Sequence, residues 1–309
     1  MLSNATKRSH YVWQHYLKSW SHTVNKKDYI YCFIKNTGKL INCCTTKVAV
    51  KKKIYKLSPF NDLEREYLKK LIDKSLPLEI INILRKKIDL EYELLQLNSK
   101  AKELDDRLIS VAESFNLQAG ENIITNNENM GAKFLAALLN KNLSFCLKKE
   151  NIIEFYIFVM MQYFRTKLMY DKLSQINKNE QINLNHIFNQ SIYIMSYNIA
   201  NLLESNDYKV VLLLNSTTQE FITGDQPVVN TFISDYNQLY NHVDKMEFYY
   251  PISPQTAILI TRDNKYINGK SYHINLTDAD KLNQLIAKAS PTTIFGYTQV
   301  AFKEISCFE

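Results

Sequence analysis

Apolar residues recur along this chain with two different periods. Val12, Tyr16 and Trp20 stand at i, i+4 and i+8, with His10, Gln14 and Leu17 on a neighbouring face, so residues 10–20 are expected to form a short helix. The pattern then alternates over Tyr29–Ile34 and Lys39–Thr45, which predicts a β-hairpin closed at Asn36–Gly38, with Ile54–Leu57 as a further strand or edge. Helical spacing returns at Asp62, a candidate N-cap, and continues to about Phe115, with Pro77 near the start of the second stretch. Mixed charges there suit a solvated helix or hairpin lying against the body, and no heptad is sustained. Asn126-Asn127-Glu128 precede a helix from Met130. Glu150–Leu173 is apolar nearly all round, as a central buried helix must be, and 183–205 is amphipathic.

From Tyr208 the character becomes β, with two strands around Asn215–Thr218 and more at 248–262 and 271–277. A helix over 278–290, capped by Thr277 or Asp278, precedes a return to strand over 292–306. The order is that of an α+β protein: an N-terminal β-hairpin, a central, largely helical body and a C-terminal antiparallel-type sheet. It reads as a single domain, 1–309, in which 1–60 is the basic N-terminal motif and hairpin, 61–206 the helical body and 207–309 the β-rich part.

A hydrophobic content of 46% can supply a sizeable core, and six Gly with six Pro argue against a turn-dense all-β fold. No stretch is apolar for long enough to span a bilayer, and MLSNATKRSH has no signal-peptide core, so no membrane is expected. Five cysteines (Cys32, Cys43, Cys44, Cys146, Cys307) without a CxxC pair argue against a disulfide framework or zinc site and fit a reducing cytoplasm. Charge is the sharper signal. Residues 1–57 hold twelve Lys/Arg and a single acid, Asp28, which suggests a polyanionic partner, nucleic acid first, or else a lysine-rich solvated face.

Three constellations could carry chemistry. Gln162, Arg165 and Thr166 share one face of the apolar central helix, and a buried guanidinium must meet an acid, a carbonyl or a bound anion. It is either an anion clamp or a packing ion pair. Thr223-Gly224-Asp225 ends an apolar strand before Pro227, where an acid is either functional or part of an Asx-turn. His10 with Gln14 offers a proton-transfer group or a packing histidine; His15 and His22 do not share its face. Motifs of P-loop NTPases, Rossmann enzymes, zincins and α/β-hydrolases are absent from the chain.

Taken together, HYVWQHYLKSW, FVMMQYFRTK, FITGDQPVV, YYPISPQTAILI and LNQLIAKAS resemble, in order, the blocks of the Domain of Unknown Function 4238 family. The resemblance marks His10, Gln14, Glu128, Gln162, Arg165, Thr166, Asp225, Pro227 and Asn283. It departs at Trp13 and Lys167, where proline is usual, and at Gly224, where serine is usual. The expectation drawn from residues and resemblance together is a hydrolase acting on nucleic acid or a nucleotide, of the toxin or phage-defence kind. His10, Asp225 and Glu128 would be the catalytic residues, and Gln14, Gln162, Arg165 and Thr166 would hold the substrate while a basic hairpin tracks the backbone. A metal-free His/Arg mechanism and recruitment of Mg²⁺ through Asp225 and Glu128 both fit. The alternatives are a non-catalytic binding module for an anionic ligand or partner protein, with residues 62–115 as a protein-facing element, and a buried polar network that only docks the two halves.

Overall fold

The structure is a computed structural model and describes residues 8–176, 181–233, 236 and 245–303. Lys7 of the basic stretch, Cys307 and the end of the last predicted strand lie outside these residues. The chain opens with Arg8–His10 (β1), paired antiparallel with Val50–Lys52 (β5), with His10 opposite Val50. That pairing takes up the start of the helix expected over 10–20, leaving Gln14–Leu17 (α1) and a 3₁₀ turn at Lys18–Trp20. Ser21–Val24 (β2), Lys27–Ile34 (β3) and Lys39–Cys44 (β4) follow, and Gly38 adopts φ +62° in the predicted turn. No strand forms at Ile54–Leu57, because Ile54 and Tyr55 join one apolar cluster while Leu57 joins another.

The helical body comprises Asp62–Leu71 (α2), Leu78–Leu104 (α3), Asp106–Leu139 (α4), Lys149–Phe164 (α5), Lys167–Ile176 (α6) and Phe188–Ser205 (α7). The cap of α2 is Asn61 rather than Asp62. Asn61 Oδ1 accepts from Glu64 N, Glu64 Oε2 accepts from Asn61 N, and Asp62 instead accepts from Tyr92. Asn126-Asn127-Glu128 do not start a helix either; α4 runs through them. The expected 150–173 helix breaks at Arg165-Thr166. On α3, Leu90, Leu94 and Leu97 stand exposed.

The C-terminal part contributes Lys209–Asn215 (β6), Thr223–Gly224 (β7), Val229–Asn230 (β8), Phe248–Ser253 (β9), Thr256–Thr261 (β10), Ser271–Ile274 (β11), Leu276–Ala289 (α8) and Thr293–Gly296 (β12). One sheet has the order β11-β6-β10-β9-β8 and is antiparallel except for the parallel β11–β6 pair. In the other, β3 carries β4 on one side and both β2 and β12 along the other, and β7 pairs with β12. The strands flanking Asn215–Thr218 therefore do not pair with each other. Helix α8 is capped by Asn275, whose Oδ1 accepts from Asp278 N at 2.9 Å. After β12 the chain makes a 3₁₀ turn at Val300–Phe302 in place of the predicted continuation of strand.

Aromatic packing docks the opening segment. Tyr16 stacks on Tyr250 at 4.9 Å and donates to Pro251 O at 2.6 Å, so Thr223 Oγ1, 2.7 Å away, must be the donor to the phenol. Trp20 Nε1 donates to Phe221 O. Helix α5 fills the centre, with Phe155, Phe158, Val159 and Met160 wholly buried. Among the described residues no helix is long and apolar enough to cross a membrane. Where α4 meets α5, a Cβ on Gly131 would lie 2.1 Å from the Phe158 ring. Gly131→Ala should accordingly lower unfolding stability by about 1–3 kcal/mol despite alanine's better helix propensity. Urea titration reads this as a lower midpoint at constant slope, and an unchanged midpoint would refute the close approach.

Candidate functional site

Four of the motif residues line one cleft of about 340 Å³: His10, Gln14, Glu128 and Arg165. His10 arrives at the end of β1. Helix α4 supplies Glu121, Ile124, Thr125 and Glu128 at i, i+3, i+4 and i+7, one face of an unbroken helix. Arg165 comes from the residue that ends α5, and Arg8, His15 and Lys18 complete the basic side of the wall.

Arg165 is 1% exposed, yet charged. Its Nη1 donates to Glu128 Oε1 at 2.6 Å, its Nη2 to the His10 carbonyl at 2.6 Å and its Nε to the Tyr55 hydroxyl at 3.1 Å. Tyr55 in turn donates to the Arg165 carbonyl at 3.0 Å. Burial works against the guanidinium's charge, but Tyr55 and Glu128 more than offset it and hold the group above its ordinary value. Such a side chain positions its neighbours; it is too enclosed and too engaged to clamp a ligand by itself.

The imidazole of His10 is pushed below its ordinary value of 6.5, chiefly by burial. The Thr45 backbone and Glu128 pull it upward, and Arg165 and Arg8 push it down. The ring is therefore neutral near pH 7, and its Nε2 is enclosed with no hydrogen-bond partner in the protein. Leaving such an acceptor unpaired costs about 1–3 kcal/mol, which a ligand hydroxyl or water would recover. Across the cleft, burial raises the Glu121 carboxyl above the usual range, while the Ser9 hydroxyl, which donates to it, and Arg165 act the other way. Glu128 is the partly exposed member of its pair with Arg165, its side chain 20% accessible.

The remaining expected residues are elsewhere. Gln162 donates to Asn127 Oδ1 at 3.0 Å, and Thr166 donates to Gln226 Oε1 at 2.5 Å; both are buried and neither lines the cleft. The break after Phe164 sends these side chains to different elements instead of one helix face. Asp225 does not line the cleft either. Its Oδ2 accepts from Thr292 N at 3.1 Å, Thr293 N at 3.0 Å and the Thr292 hydroxyl, fastening β7 to the start of β12. The structure thus does not bring Asp225 and Glu128 to a common cleft, and among the described residues no group of three or more His, Cys, Asp or Glu could hold a metal. Asn283 brackets Glu220 and Ile222 through backbone hydrogen bonds. At Gly224, a Cβ would stand 1.9 Å from Ser290 Oγ, so the serine of the motif has no room as packed.

Several lysines of the basic stretch are engaged within the chain. Lys35 donates to Ala287 O and Ser290 O at the end of α8, Lys51 pairs with Asp171, and Lys53 and Lys56 pair with Glu113. Glu121, Tyr55 and Ser9 were missed in the sequence. The signal for Glu121 was its two-turn spacing from Glu128, hidden by reading Asn126-Asn127-Glu128 as a helix start.

Residues 8–299 match the family described as "Protein of unknown function (DUF4238)". Comparison with curated proteins gave no match, and neither did comparison with solved structures.

Two outcomes follow from this geometry. Arg165→Met leaves Glu128, Tyr55 and the His10 carbonyl without their donor and should cost about 3–5 kcal/mol. Thermal unfolding reads this directly, and a variant as stable as the parent would contradict the network. Asp225 is buried with its Oδ1 unpartnered, and burial raises its carboxyl to about 6. A carboxyl raised on folding lends stability that is fully present below its unfolded value near 3.8 and lost as pH rises through about 6. The stability difference between parent and Asp225→Asn, from urea unfolding, should therefore move against the parent by on the order of 3 kcal/mol between pH 4 and 7.5. A pH-independent difference would contradict it.

Proposed function

From a chain that belongs to the DUF4238 family over residues 8–299, we propose a hydrolase that cleaves a phosphate ester of nucleic acid or a nucleotide. The single observation that carries this reading is the unpartnered Nε2 of a neutral His10 in a cleft that also holds Glu121 and the Glu128–Arg165 pair. A neutral imidazole can take the proton of an attacking water. Glu121, whose carboxyl holds its proton more tightly than an exposed one, can return a proton to the leaving oxygen. Arg8 and Lys18 offer charge to the phosphate, while Arg165 seats Glu128 and the His10 backbone. The cleft volume, about 340 Å³, suits a group of nucleotide size.

Arg8 and Lys18 on the cleft wall also suit a recognition module that binds an anion without turnover, and one assay separates the two. Purified protein incubated with tRNA, total RNA and single- and double-stranded DNA, with Mg²⁺ or with chelator, should cleave at least one substrate. His10→Gln should slow that cleavage about 10²–10⁴-fold without changing the circular dichroism. Because the base works as the neutral ring and the acid as the protonated Glu121 carboxyl, the rate should rise with pH through a midpoint below 6.5 and fall again as Glu121 loses its proton. Binding without cleavage of any substrate would favour recognition, and a His10→Gln variant with parental rates would end the catalytic reading.

A further inference from the structure

A second hollow, of about 490 Å³, adjoins the cleft. His15 and Lys18 line both, so the two hollows share a wall. Helix α4 lines the cleft with Glu121–Glu128 and the second hollow with Leu135 and Leu139, so the two lie along one helix over roughly 27 Å at 1.5 Å rise per residue. Their lining changes along that length. His10, Glu121 and Glu128 sit in the first hollow, and Lys18, half exposed and 3.9 Å from the Asp28 carboxylate that a phosphate would have to displace, lines both. The second hollow mixes polar groups (Ser19, Ser253, Gln255) with the buried Leu135 and with Leu139 and Tyr297, which are 43% and 41% exposed.

We propose that the two adjoining hollows together bind an extended single-stranded nucleic acid that passes over their shared wall. The scissile phosphate lies at the His10 cleft, the neighbouring backbone passes Lys18, and an unpaired base stacks on Tyr297. This rests on the hydrolytic reading of the cleft and narrows its substrate from nucleotides in general to a strand. A mononucleotide would leave the Leu139–Tyr297 end empty, and a paired duplex would not present the face of a base to an aromatic ring. A positive side chain between a reaction site and an exposed ring is the arrangement that single-strand binders use: charge for the backbone, stacking for sequence-tolerant grip. An extended peptide would also fit the length, but Arg8 and Lys18, the cleft-lining members of the basic N-terminal stretch, favour a polyanion.

The test is fluorescence anisotropy on the full chain with phosphorothioate hexanucleotides of RNA and DNA, AMP and hexaglutamate, so that binding is read without turnover. A hexanucleotide should bind at least 100-fold more tightly than AMP at low salt. Tyr297→Ala and Leu139→Glu, both at exposed positions, should each cut the hexanucleotide-to-AMP affinity ratio tenfold or more. Lys18→Ala should lower the slope of log affinity against log salt by about one. Equal affinity for AMP and the hexamer would overturn the proposal. So would an unaltered ratio in both variants, or hexaglutamate binding as well as the hexamer. Strand binding with no cleavage of any nucleic acid would defeat the hydrolytic reading alone, whereas His10-dependent cleavage with AMP-like affinity for the hexamer would defeat the strand proposal alone.

Discussion

A guanidinium taken out of water must be satisfied on every side, and the way Arg165 meets that demand organises the molecule. Its three donor groups reach the His10 carbonyl, the Tyr55 hydroxyl and the Glu128 carboxylate, from three segments that are distant in sequence. The desolvation cost of such a charge is several kcal/mol, and only near-complete pairing offsets it. The opening strand, the segment after β5 and the middle of α4 are therefore held in one arrangement relative to the end of α5. That arrangement is also what creates the cleft, since His10 and Glu128 face the same hollow only while Arg165 holds both.

The break in the central helix serves the same end. One turn of chain sends Gln162 to Asn127, Arg165 to Glu128 and Thr166 to Gln226. Gln226 then donates to the carbonyls of Tyr163 and Val228, so a side chain meets the Tyr163 carbonyl in the last turn of α5. The neighbouring Asp225 belongs to a separate device. It fastens two strand ends, and its cost in ionisation is carried away from the cleft. Polar residues that look alike in sequence thus divide into a cleft wall, a helix-break network and a strand clasp.

Local patterns were legible; pairings across the chain were not. The β3–β4 hairpin and the apolar α5 could be read because alternation and all-round hydrophobicity are properties of contiguous residues. The partner of β7 could not, because β12 lies some seventy residues on and the nearer β6 looks equally suitable. The family blocks pointed to the right stretch of chain, and His10, Gln14, Glu128 and Arg165 do line a common hollow. Glu121 escaped because an Asn-Asn-Glu run reads as a cap by local propensity, whereas Asn127 is in fact paid for across helices by Gln162. Tertiary hydrogen bonding overrode the local preference at that point and left α4 unbroken.

The central claim is that the His10 imidazole lies within reach of the Glu128 charge in one partly enclosed hollow. Titration of the His10 imidazole by NMR, in the parent chain and in Glu128→Gln, tests it most directly. The account predicts a midpoint below 6.5 in the parent and a further fall when the carboxylate is removed, because Glu128 pulls the imidazole upward against its burial. A parent midpoint at or above 6.5 that does not respond to Glu128→Gln would contradict it.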